Sequence, residues 1–411
     1  PDAYPYFFID TNANGAIDEG EAAFPNAYNA WTPRLLQAAY NYQLSIKDPG
    51  AFAHGNKYIV QLLFDSLADL NTRLASPIDM SAMHRDDAGH FAGNTEAFRH
   101  WDGEEDGGIV PNTCVRCHTA TGLPMFLANN GSTIAQPASN GFHCSTCHDE
   151  ANWPARYQIA SVTMPSGRSV TFGEGADSNL CISCHQGRES TASVNRAIGS
   201  AEPDAITEGL RFRNVHYFAA GATLFGNEAQ GMYQFADREY LGQNMHPASM
   251  GGTMNNCVAC HDTHALEVNV ATCATCHTGI TDVREIRMPV DAVDYDGDGN
   301  AAEPLDQEIA TMADAVYAAL QDYAANTVGT PIVYDAYAYP YFFADANGNG
   351  QLDEGESGYS TWTPRGLIAA YNYQYVQKDP GAFAHNGRYV IQVLYDTLAY
   401  LGVDVTGMTR P

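Results

Sequence analysis

Apolar residues recur at helical spacing in only a few stretches of this chain. In one stretch near the N-terminus they fall every three or four positions and predict one buried stripe of a helix: Ile59, Leu63, Leu67 and Leu70. A second amphipathic helix is predicted over 305–323, with these residues on one face: Ile309, Met312, Val316, Leu320 and Tyr323. The middle of the chain has few long periodic segments, which favours short helices and loops.

Capping residues followed by proline predict where helices begin. Thr32-Pro33 and Thr363-Pro364 each place a hydroxyl before a proline at the first helical position. Asp48-Pro49 and Asp379-Pro380 predict the start of a second helix in the same way.

These helix starts come in pairs because the chain contains a long repeat. Residues 3–70 read AYPYFFIDTNANGAIDEGE, WTPRLLQAAYNYQ and KDPGAFAHGNKYIVQLLFDSLADL, and residues 338–401 repeat them closely. The offset is 335 residues before a four-residue deletion and 331 after it. Two copies make a module duplicated at both ends of the chain, not a solenoid.

All ten cysteines lie between the two copies, in five Cys-x-x-Cys-His motifs. The motifs are Cys114-Cys117-His118, Cys144-Cys147-His148, Cys181-Cys184-His185, Cys257-Cys260-His261 and Cys273-Cys276-His277. This pattern is the attachment motif of c-type haem, where two thiols form thioethers with the porphyrin and the histidine is the proximal iron ligand. The sequence therefore predicts five haems c.

Other uses of cysteine explain the pattern less well. A zinc site gives no reason for histidine at the next position every time, and a disulfide framework does not need pairs two residues apart. A thioredoxin-like dithiol would occur once, not five times.

The charge balance limits the partners. Twenty basic against 48 acidic side chains give a formal net charge of −28, to which haem propionates would add. The negative electrostatic potential of such a protein would repel nucleic acid and anionic lipid, and it would attract cationic partners and divalent metal ions. No apolar run reaches the length of a transmembrane helix. Because haem c is attached outside the cytoplasmic membrane, and the chain starts at Pro1 without a leader, we expect a secreted, processed protein that is extracellular, at the cell surface or periplasmic.

Two segments match the EF-hand loop D-x-[DN]-x-[DN]-G-x5-E at every constrained position. The predicted calcium ligands of the first are Asp10, Asn12, Asn14, Ala16 and Glu21. Those of the second are Asp345, Asn347, Asn349, Gln351 and Glu356. A third loop has Leu305 at its twelfth position, so an inner glutamate would replace the usual one; its ligands would be Asp294, Asp296, Asp298, Asn300 and Glu303. The alternative for each loop is an acidic turn without metal; with metal, we expect structural calcium.

Nine histidines lie outside the five motifs and could supply the second axial ligand of each iron. They are His54, His84, His90, His100, His143, His216, His246, His264 and His385. His264 follows the fourth motif closely, His216 has apolar aromatic neighbours, and His54 and His385 are equivalent in the repeat.

Several runs of the chain resemble multihaem c-type cytochromes of metal- and sulfur-respiring bacteria. The runs are GHFAGNTEAFRHWD, LCISCHQGRES, NVHYFAAGATLFG, CVACHDTHALEV and DPGAFAHNGRYVIQVLYDTLAYL. Relatives of this character include extracellular cytochromes that polymerise into conductive filaments. The resemblance implies bis-histidine haems in a closely stacked chain, with His90, His216, His246, His264 and His385 as distal ligands. His54, His100 or His143 could replace one of these.

The expected architecture is mostly coil with α-helices and little β, built around a stacked haem chain and flanked by duplicated calcium-loop and helical modules. Its predicted parts are residues 1–76, an N-terminal module; 77–290, a pentahaem cytochrome domain; 291–335, a calcium loop and helix connector; and 336–411, the C-terminal repeat.

Two functions follow from this reading of the cofactor. Six-coordinate haems leave no open position for a substrate, which predicts an electron-transfer protein rather than an enzyme. It would exchange electrons with redox proteins or extracellular acceptors and could self-associate into filaments through its duplicated ends. The alternative is a reductase of nitrite, hydroxylamine or a sulfur oxyanion, which requires one five-coordinate haem.

Overall fold

The computed structural model describes residues 4–80, 83, 85, 96–103, 105, 107–173, 175–216, 218–246, 254–264, 267–287 and 292–411. Over these ranges the chain is mostly helix and coil with small two-stranded antiparallel sheets, as the sequence pattern predicts. In the same ranges no helix combines the length and the apolar character needed to cross a membrane.

The α-helices, numbered in chain order α1 to α14, are Pro33–Lys47, Ala51–His54, Asn56–Asn71, Glu96–Arg99, Val115–His118, Gly122–Ala128, Cys144–Cys147, Ser178–Ile182, Thr191–Ile198, Ala220–Phe225, Val270–Ala274, Leu305–Tyr323, Pro364–Gln377 and Ala382–Leu401. The strands, β1 to β8, are Ile109–Val110, Gln136–Pro137, Val162–Thr163, Ser169–Val170, His261–Asp262, Glu267–Val268, Ile332–Tyr334 and Phe342–Ala344, and each odd-numbered strand pairs with the next. The chain forms two compact units, Pro1–Thr146 and Cys147–Pro411, and the division falls inside α7.

In the first unit, the pair α1 and α3 forms the N-terminal module. The predicted cap of α1 is confirmed, because Thr32 Oγ1 accepts a hydrogen bond from the Leu35 N–H at 3.2 Å. The predicted start of the next helix at Asp48-Pro49 is wrong. The chain enters α2 only at Ala51, behind Gly50. The Asp48 carboxylate accepts from the Gly50 N–H at 2.9 Å, ahead of the helix, and also binds the ring of His54, with Oδ1 2.9 Å from Nδ1.

The second unit has the larger core, formed by α12 together with α10, α13 and α14. Helix α12 has the predicted bounds, and its predicted face is buried. The cap at Thr363 is confirmed, since its Oγ1 accepts a hydrogen bond from the Gly366 N–H at 3.0 Å. The start predicted at Asp379-Pro380 is wrong in the same way as in the first copy: α14 begins at Ala382, and the Asp379 carboxylate binds both the Gly381 N–H and the ring of His385.

The C-terminal module packs on a surface formed by residues 203–246 and α12, which we call the acceptor. Side chains of α13 and α14 hydrogen-bond to backbone atoms of the acceptor. Tyr371 Oη donates to the Gly231 carbonyl at 2.6 Å. Asn372 accepts from the Tyr233 N–H at 2.8 Å. Gly231 must be glycine here, because a Cβ atom at this position would lie 2.4 Å from Tyr375 Oη.

Two glutamines add bonds of the same kind. Gln374 Oε1 accepts from the Val215 N–H at 3.2 Å, and Gln392 Oε1 accepts from the Leu241 N–H at 2.9 Å. Main-chain atoms of the acceptor therefore form a large part of its polar contact with the module.

The two copies of the module differ in their surroundings. Leu367 and Tyr371 on α13 are fully buried, at 0% exposure. Their equivalents on α1, Leu36 and Tyr40, are 53% and 67% exposed. The same sequence thus forms part of a core in one copy and an apolar surface in the other.

Candidate functional site

Short helical turns hold the haem-attachment motifs. In three of them the histidine N–H donates to the carbonyl of the first cysteine, four residues earlier: His118 to Cys114, His185 to Cys181 and His277 to Cys273. Each bond closes a helical turn, and such a turn brings side chains three residues apart to the same side. Two thiols can then reach one porphyrin edge.

The rings of three motif histidines are oriented by backbone carbonyls. Nδ1 of His118 lies 2.8 Å from the Ala97 carbonyl oxygen, and Nδ1 of His148 lies 2.8 Å from that of Pro154. The corresponding distance from His185 to Phe218 is 3.2 Å. A histidine ligand usually donates one ring N–H to such an acceptor while the other nitrogen binds metal. Because Nδ1 is the nitrogen held by these contacts, Nε2 is the one that would bind an iron.

Two pairs of histidine rings have the spacing that a shared iron requires. The ring centroids of His148 and His264 are 6.2 Å apart with planes at 10°, and those of His261 and His385 are 6.4 Å apart with planes at 29°. Imidazole nitrogens bind such a metal at about 2 Å, which puts the centroids of two opposed rings roughly 6 Å apart. The residues therefore fit two bis-histidine irons.

His385 comes from the C-terminal module, and a buried carboxylate orients its ring. Its Nδ1 lies 2.9 Å from Oδ1 of Asp379. Burial lowers the pKa of His385, but the Asp379 charge and hydrogen bond outweigh this effect and raise the pKa overall. An acid residue behind the ring increases the basicity of the other nitrogen toward a metal.

For the remaining predicted distal ligands, the described residues show burial and local contacts rather than a paired histidine ring. His246 is half-buried, and its pKa is lowered by burial and then by the nearby charge of His277. His216 is half-buried, with its backbone in the left-handed region at φ 70°. His90, like His84, lies outside the described residues. His100 binds Glu96 through Nδ1 at 2.5 Å.

The thiols of successive motifs approach one another in the second unit. A hydrogen bond between the free thiols of Cys181 and Cys257 raises the pKa of Cys181 and lowers that of Cys257 to about 7. Cys147 adds to the rise at Cys181. The pKa of Cys260 is raised by burial and then by the charge of Cys273. Four motifs thus follow one another closely in space.

The three predicted calcium loops share one backbone arrangement. The first aspartate of each accepts, through Oδ2, a hydrogen bond from the glycine N–H five residues later. The pairs are Asp10 with Gly15, Asp294 with Gly299 and Asp345 with Gly350, each at 2.8 Å. The three glycines have φ between 75° and 95°, a conformation that a side chain would strain.

In the two loops with complete EF-hand sequences, the last glutamate folds back onto the loop. Glu21 accepts from the Thr11 N–H at 2.9 Å, and Glu356 accepts from the Ala346 N–H at 2.8 Å. The remaining predicted positions, Asn12, Asn14, Asn347 and Asn349 among them, lie on the same turns.

The third loop brings carboxylates together. Oxygen atoms of Asp296, Asp298 and Glu303 lie within 4.8 Å of one another, as do those of Asp294, Asp296 and Glu308. Glu303 is only 4% exposed, and within the part of the chain that the structure describes neither of its carboxylate oxygens has a hydrogen-bond partner. Burial and then the charges of Asp296 and Asp298 raise the pKa of Glu303 to about 7. A divalent cation would neutralise this cluster.

Glu308 is a part of this cluster that the sequence pattern missed, because it lies beyond the twelve-residue loop. It is fully buried, and Oε2 accepts from the backbone N–H groups of Tyr295 and Asp296 at 2.8 and 3.0 Å. Its other oxygen lies 3.0 Å from Arg287 Nη2. Glu308 therefore anchors the loop to the start of α12.

The aspartates behind His54 and His385 were also missed. Both stand six residues before the histidine in the repeated run DPGAFAH, so the duplication carried a usable signal. The interpretation of these aspartates as helix caps hid their contact with the histidines.

Comparison with known proteins gives two polyhaem relatives of Geobacter sulfurreducens, to which the chain is homologous. The chain is 27% identical to the C-type polyheme cytochrome OmcB over 372 aligned residues, covering 74% of this chain and 45% of that protein. It is 27% identical to the C-type polyheme cytochrome OmcC over an alignment 471 positions long, which covers 95% of this chain and 56% of that protein. The chain thus spans about half the length of the curated relatives it matches. No family model and no solved structure matches it.

Proposed function

Because the chain is homologous to C-type polyhaem cytochromes, we propose that it transfers electrons through five covalently bound, mainly bis-histidine haems c. The observation that carries this proposal is the spacing of the ring pairs His148–His264 and His261–His385. Each haem would supply a one-electron couple. The cysteines of this chain would hold the haems through thioethers, and its histidines would bind the irons on both sides, which would leave no position for a substrate.

The closeness of successive motifs supports transfer along the chain. Cys181 and Cys257 share a hydrogen bond although they belong to different motifs, and Cys260 senses the charge of Cys273. Haems attached at these thiols would lie near one another. The donor and acceptor would be redox proteins or extracellular electron acceptors, and the location outside the cytoplasmic membrane follows from the attachment of haem c.

The spin state of the irons tests the proposal. Low-temperature electron paramagnetic resonance of the oxidised protein should show only low-spin signals, and the reduced protein should not bind CO. A high-spin ferric signal together with a CO adduct would overturn the all-bis-histidine arrangement and favour the reductase alternative.

Calcium is proposed as a structural ion, most directly at the third loop, where the unpartnered Glu303 faces two aspartates. A carboxylate buried without a partner is costly, and a divalent cation removes that cost. Excess chelator should lower the melting temperature while the haems stay attached. An unchanged melting curve would refute structural calcium.

Self-association into filaments also stays a proposal, and it rests on the duplicated ends of the chain. Electron micrographs of the haem-loaded protein should show fibres. Discrete particles at every concentration would contradict it.

A further inference from the structure

The third calcium loop is built into the core of the second unit. Its residue Tyr295 belongs to that core, and the carboxylates of Asp296, Glu303 and Glu308 are buried beside it. Within the part of the chain that the structure describes, Oδ2 of Asp296 and both oxygens of Glu303 are buried without a hydrogen-bond partner. Converging oxygens of this kind suit a divalent cation. The role of the ion then depends on what the loop contacts.

One end of the loop contacts the helix that carries His385. Leu305, two residues after Glu303, is the first residue of α12. Its side chain packs closely on Gly387 of α14, where a Cβ atom would lie 2.5 Å from Leu305 Cδ2. Gly387 stands two residues after His385. The end of the loop is therefore connected to this histidine through a close contact between two helices.

The helix α14 is interrupted between these two positions. Asn386 has φ −167° and ψ 64°, which separates the turn that carries His385 from the longer part of the helix. Asn386 Nδ2 donates to the Gly242 carbonyl at 2.9 Å and to the Leu224 carbonyl at 3.2 Å. The position of the His385 turn therefore depends on the contacts that Asn386 and Gly387 make with the rest of the unit.

The loop is also joined to α14 through the C-terminal segment of the chain. The Thr409 N–H donates to the Tyr295 carbonyl at 3.0 Å. Next to Thr409, Arg410 binds Asp396 of α14, with Nη2 2.9 Å from Oδ2. The loop is thus attached to α14 at a second point, further along the helix.

Without an ion, the carboxylates of the loop repel one another. Their oxygen atoms form two overlapping groups, each within 4.8 Å: Asp294, Asp296, Asp298, Glu303 and Glu308. Like charges at this separation, partly shielded from water, favour a loop that opens. Leu305 would then move away from Gly387, because it directly follows the loop. A bound cation would reverse the repulsion and keep the contact closed.

We propose that calcium bound in the third loop holds His385 on the iron that it would share with His261. Leu305 acts as the positioning residue between the two sites, because it contacts the chain beside His385 and belongs to the end of the loop. Coupling between two binding sites is reciprocal, so loss of the iron bond must weaken calcium binding by the same factor. The inference rests on the proposed function, which assigns both histidines to iron.

The spin state of the haem-loaded full chain tests the first half of this coupling. In calcium, the oxidised protein should show only low-spin signals. In excess chelator, one iron should become high-spin and bind CO after reduction, and added calcium should reverse both changes. Asp294→Asn should shift these changes to higher calcium concentration. Asp10→Asn, the same substitution at the equivalent position of the first loop, should not.

Calcium affinity tests the reciprocal half. Asp10→Asn together with Asp345→Asn removes the first ligand of each of the other two loops, so calorimetric titration in this background reports the third loop. His385→Ala should lower its calcium affinity by about tenfold, a common size of coupling between sites. His264→Ala, which would remove a distal ligand from a different iron, should leave the affinity unchanged.

Leu305→Ala tests the route between the sites in the same background. It should lower the calcium affinity as much as His385→Ala, and the two substitutions together should lower it no further, because each breaks the same connection. The spin state of the Leu305 variant should no longer respond to calcium. Leu320→Ala, near the other end of α12, is the control for lost packing and should keep that response. Additive losses would overturn the role of Leu305.

The outcomes separate this inference from the proposed function. If His385→Ala leaves every iron low-spin, His385 binds no iron and the proposed function fails at that haem. If His385→Ala makes one iron high-spin but chelator does not, or if the variant binds calcium as tightly as its parent, the inference is overturned while the proposed function stands. A third loop that binds no calcium would overturn the inference in the same way.

Discussion

At the scale of single residues, five histidine rings are oriented by an acceptor that contacts their Nδ1 atom. Backbone carbonyls hold His118, His148 and His185, and aspartates hold His54 and His385. In each case Nδ1 is the ring nitrogen held by this contact, so Nε2 is the nitrogen that would bind a metal. A carboxylate is charged and a carbonyl is not, so the His385 ring should be a more basic iron ligand than the His148 ring.

Replacement of His264 by Met tests the pairing with His148. We expect the potential of one haem to rise by an amount on the order of 100 mV, because a thioether favours the reduced iron. A redox titration of the full chain measures this shift. His54→Met in dilute protein is the control and should leave every potential unchanged. An unaltered titration of the His264 variant would show that His264 binds no iron.

Protonation of Glu303 should oppose calcium binding. Its pKa is raised to about 7 by burial and neighbouring charge, so at lower pH the ion must displace a proton. Calcium affinity should therefore rise with pH, by about tenfold per pH unit below 7 if one proton is released. Calorimetric titration between pH 5 and about 8, in buffers of different ionisation enthalpy, measures the calcium affinity and the number of protons released on binding. An affinity independent of pH would contradict the role of Glu303.

Glu303→Gln should stabilise the protein without calcium and destabilise it with calcium. A raised pKa in the folded state means that the ionised carboxylate destabilises the calcium-free fold above the ordinary pKa of glutamate. At pH 8 in chelator, the substitution should therefore stabilise the protein, by up to about 3 kcal/mol. In excess calcium it should lower the melting temperature. Glu354→Gln, at an exposed position of the second loop, is a matched control.

At the scale of elements, the same helix sequence occurs in two environments. Helix α13 is buried along most of its length, whereas α1 exposes the equivalent face. The first helix of the module forms in both copies because its cap and spacing decide it locally, whereas the second is divided at Gly55 into α2 and α3 in one copy and continues through a non-helical residue, Asn386, as α14 in the other. Burial differs because it depends on what else packs there.

Equivalent substitutions in the two copies should therefore lower the free energy of unfolding by different amounts. Leu367→Ala should reduce the free energy of unfolding by about 2–5 kcal/mol, since it opens a cavity in the core. Leu36→Ala should change it by less than about 0.5 kcal/mol in dilute protein. Denaturant titration of the haem-loaded chain followed by tyrosine fluorescence measures both. Equal costs would show that the N-terminal face is buried in solution.

The sequence predicted these elements unevenly, for physical reasons. Periodicity gave both ends of α12, and the Thr-Pro pairs gave the caps of α1 and α13, because these signals are local. The helix starts expected at Asp48 and Asp379 come two residues too early, because each carboxylate accepts from the glycine N–H two residues on, ahead of the helix, while it also binds the histidine six residues away. Glu308 and the acceptor contacts depend on residues distant in the chain, which local patterns do not report.

At the scale of the whole molecule, the net charge of −28 should govern encounters with small redox partners. Oxidation by a cationic complex should be fast at low ionic strength and slow by about tenfold or more as salt screens the field. Oxidation by an anionic complex should show the opposite trend. Stopped-flow absorbance of the haems measures both rates. Rates that do not depend on salt would mean that electrons leave at a site shielded from this field.

The bonds between acceptor and module have a consequence for how such proteins diversify. Tyr371, Asn372, Gln374 and Gln392 all address main-chain atoms of the acceptor. These four bonds do not depend on the identity of acceptor side chains, whereas Asp204, Gln234 and Asn244 bond to the module through their side chains. A module from a diverged gene would therefore be recognised wherever the backbone path and these three side chains are kept, so that recombination could exchange modules between such genes.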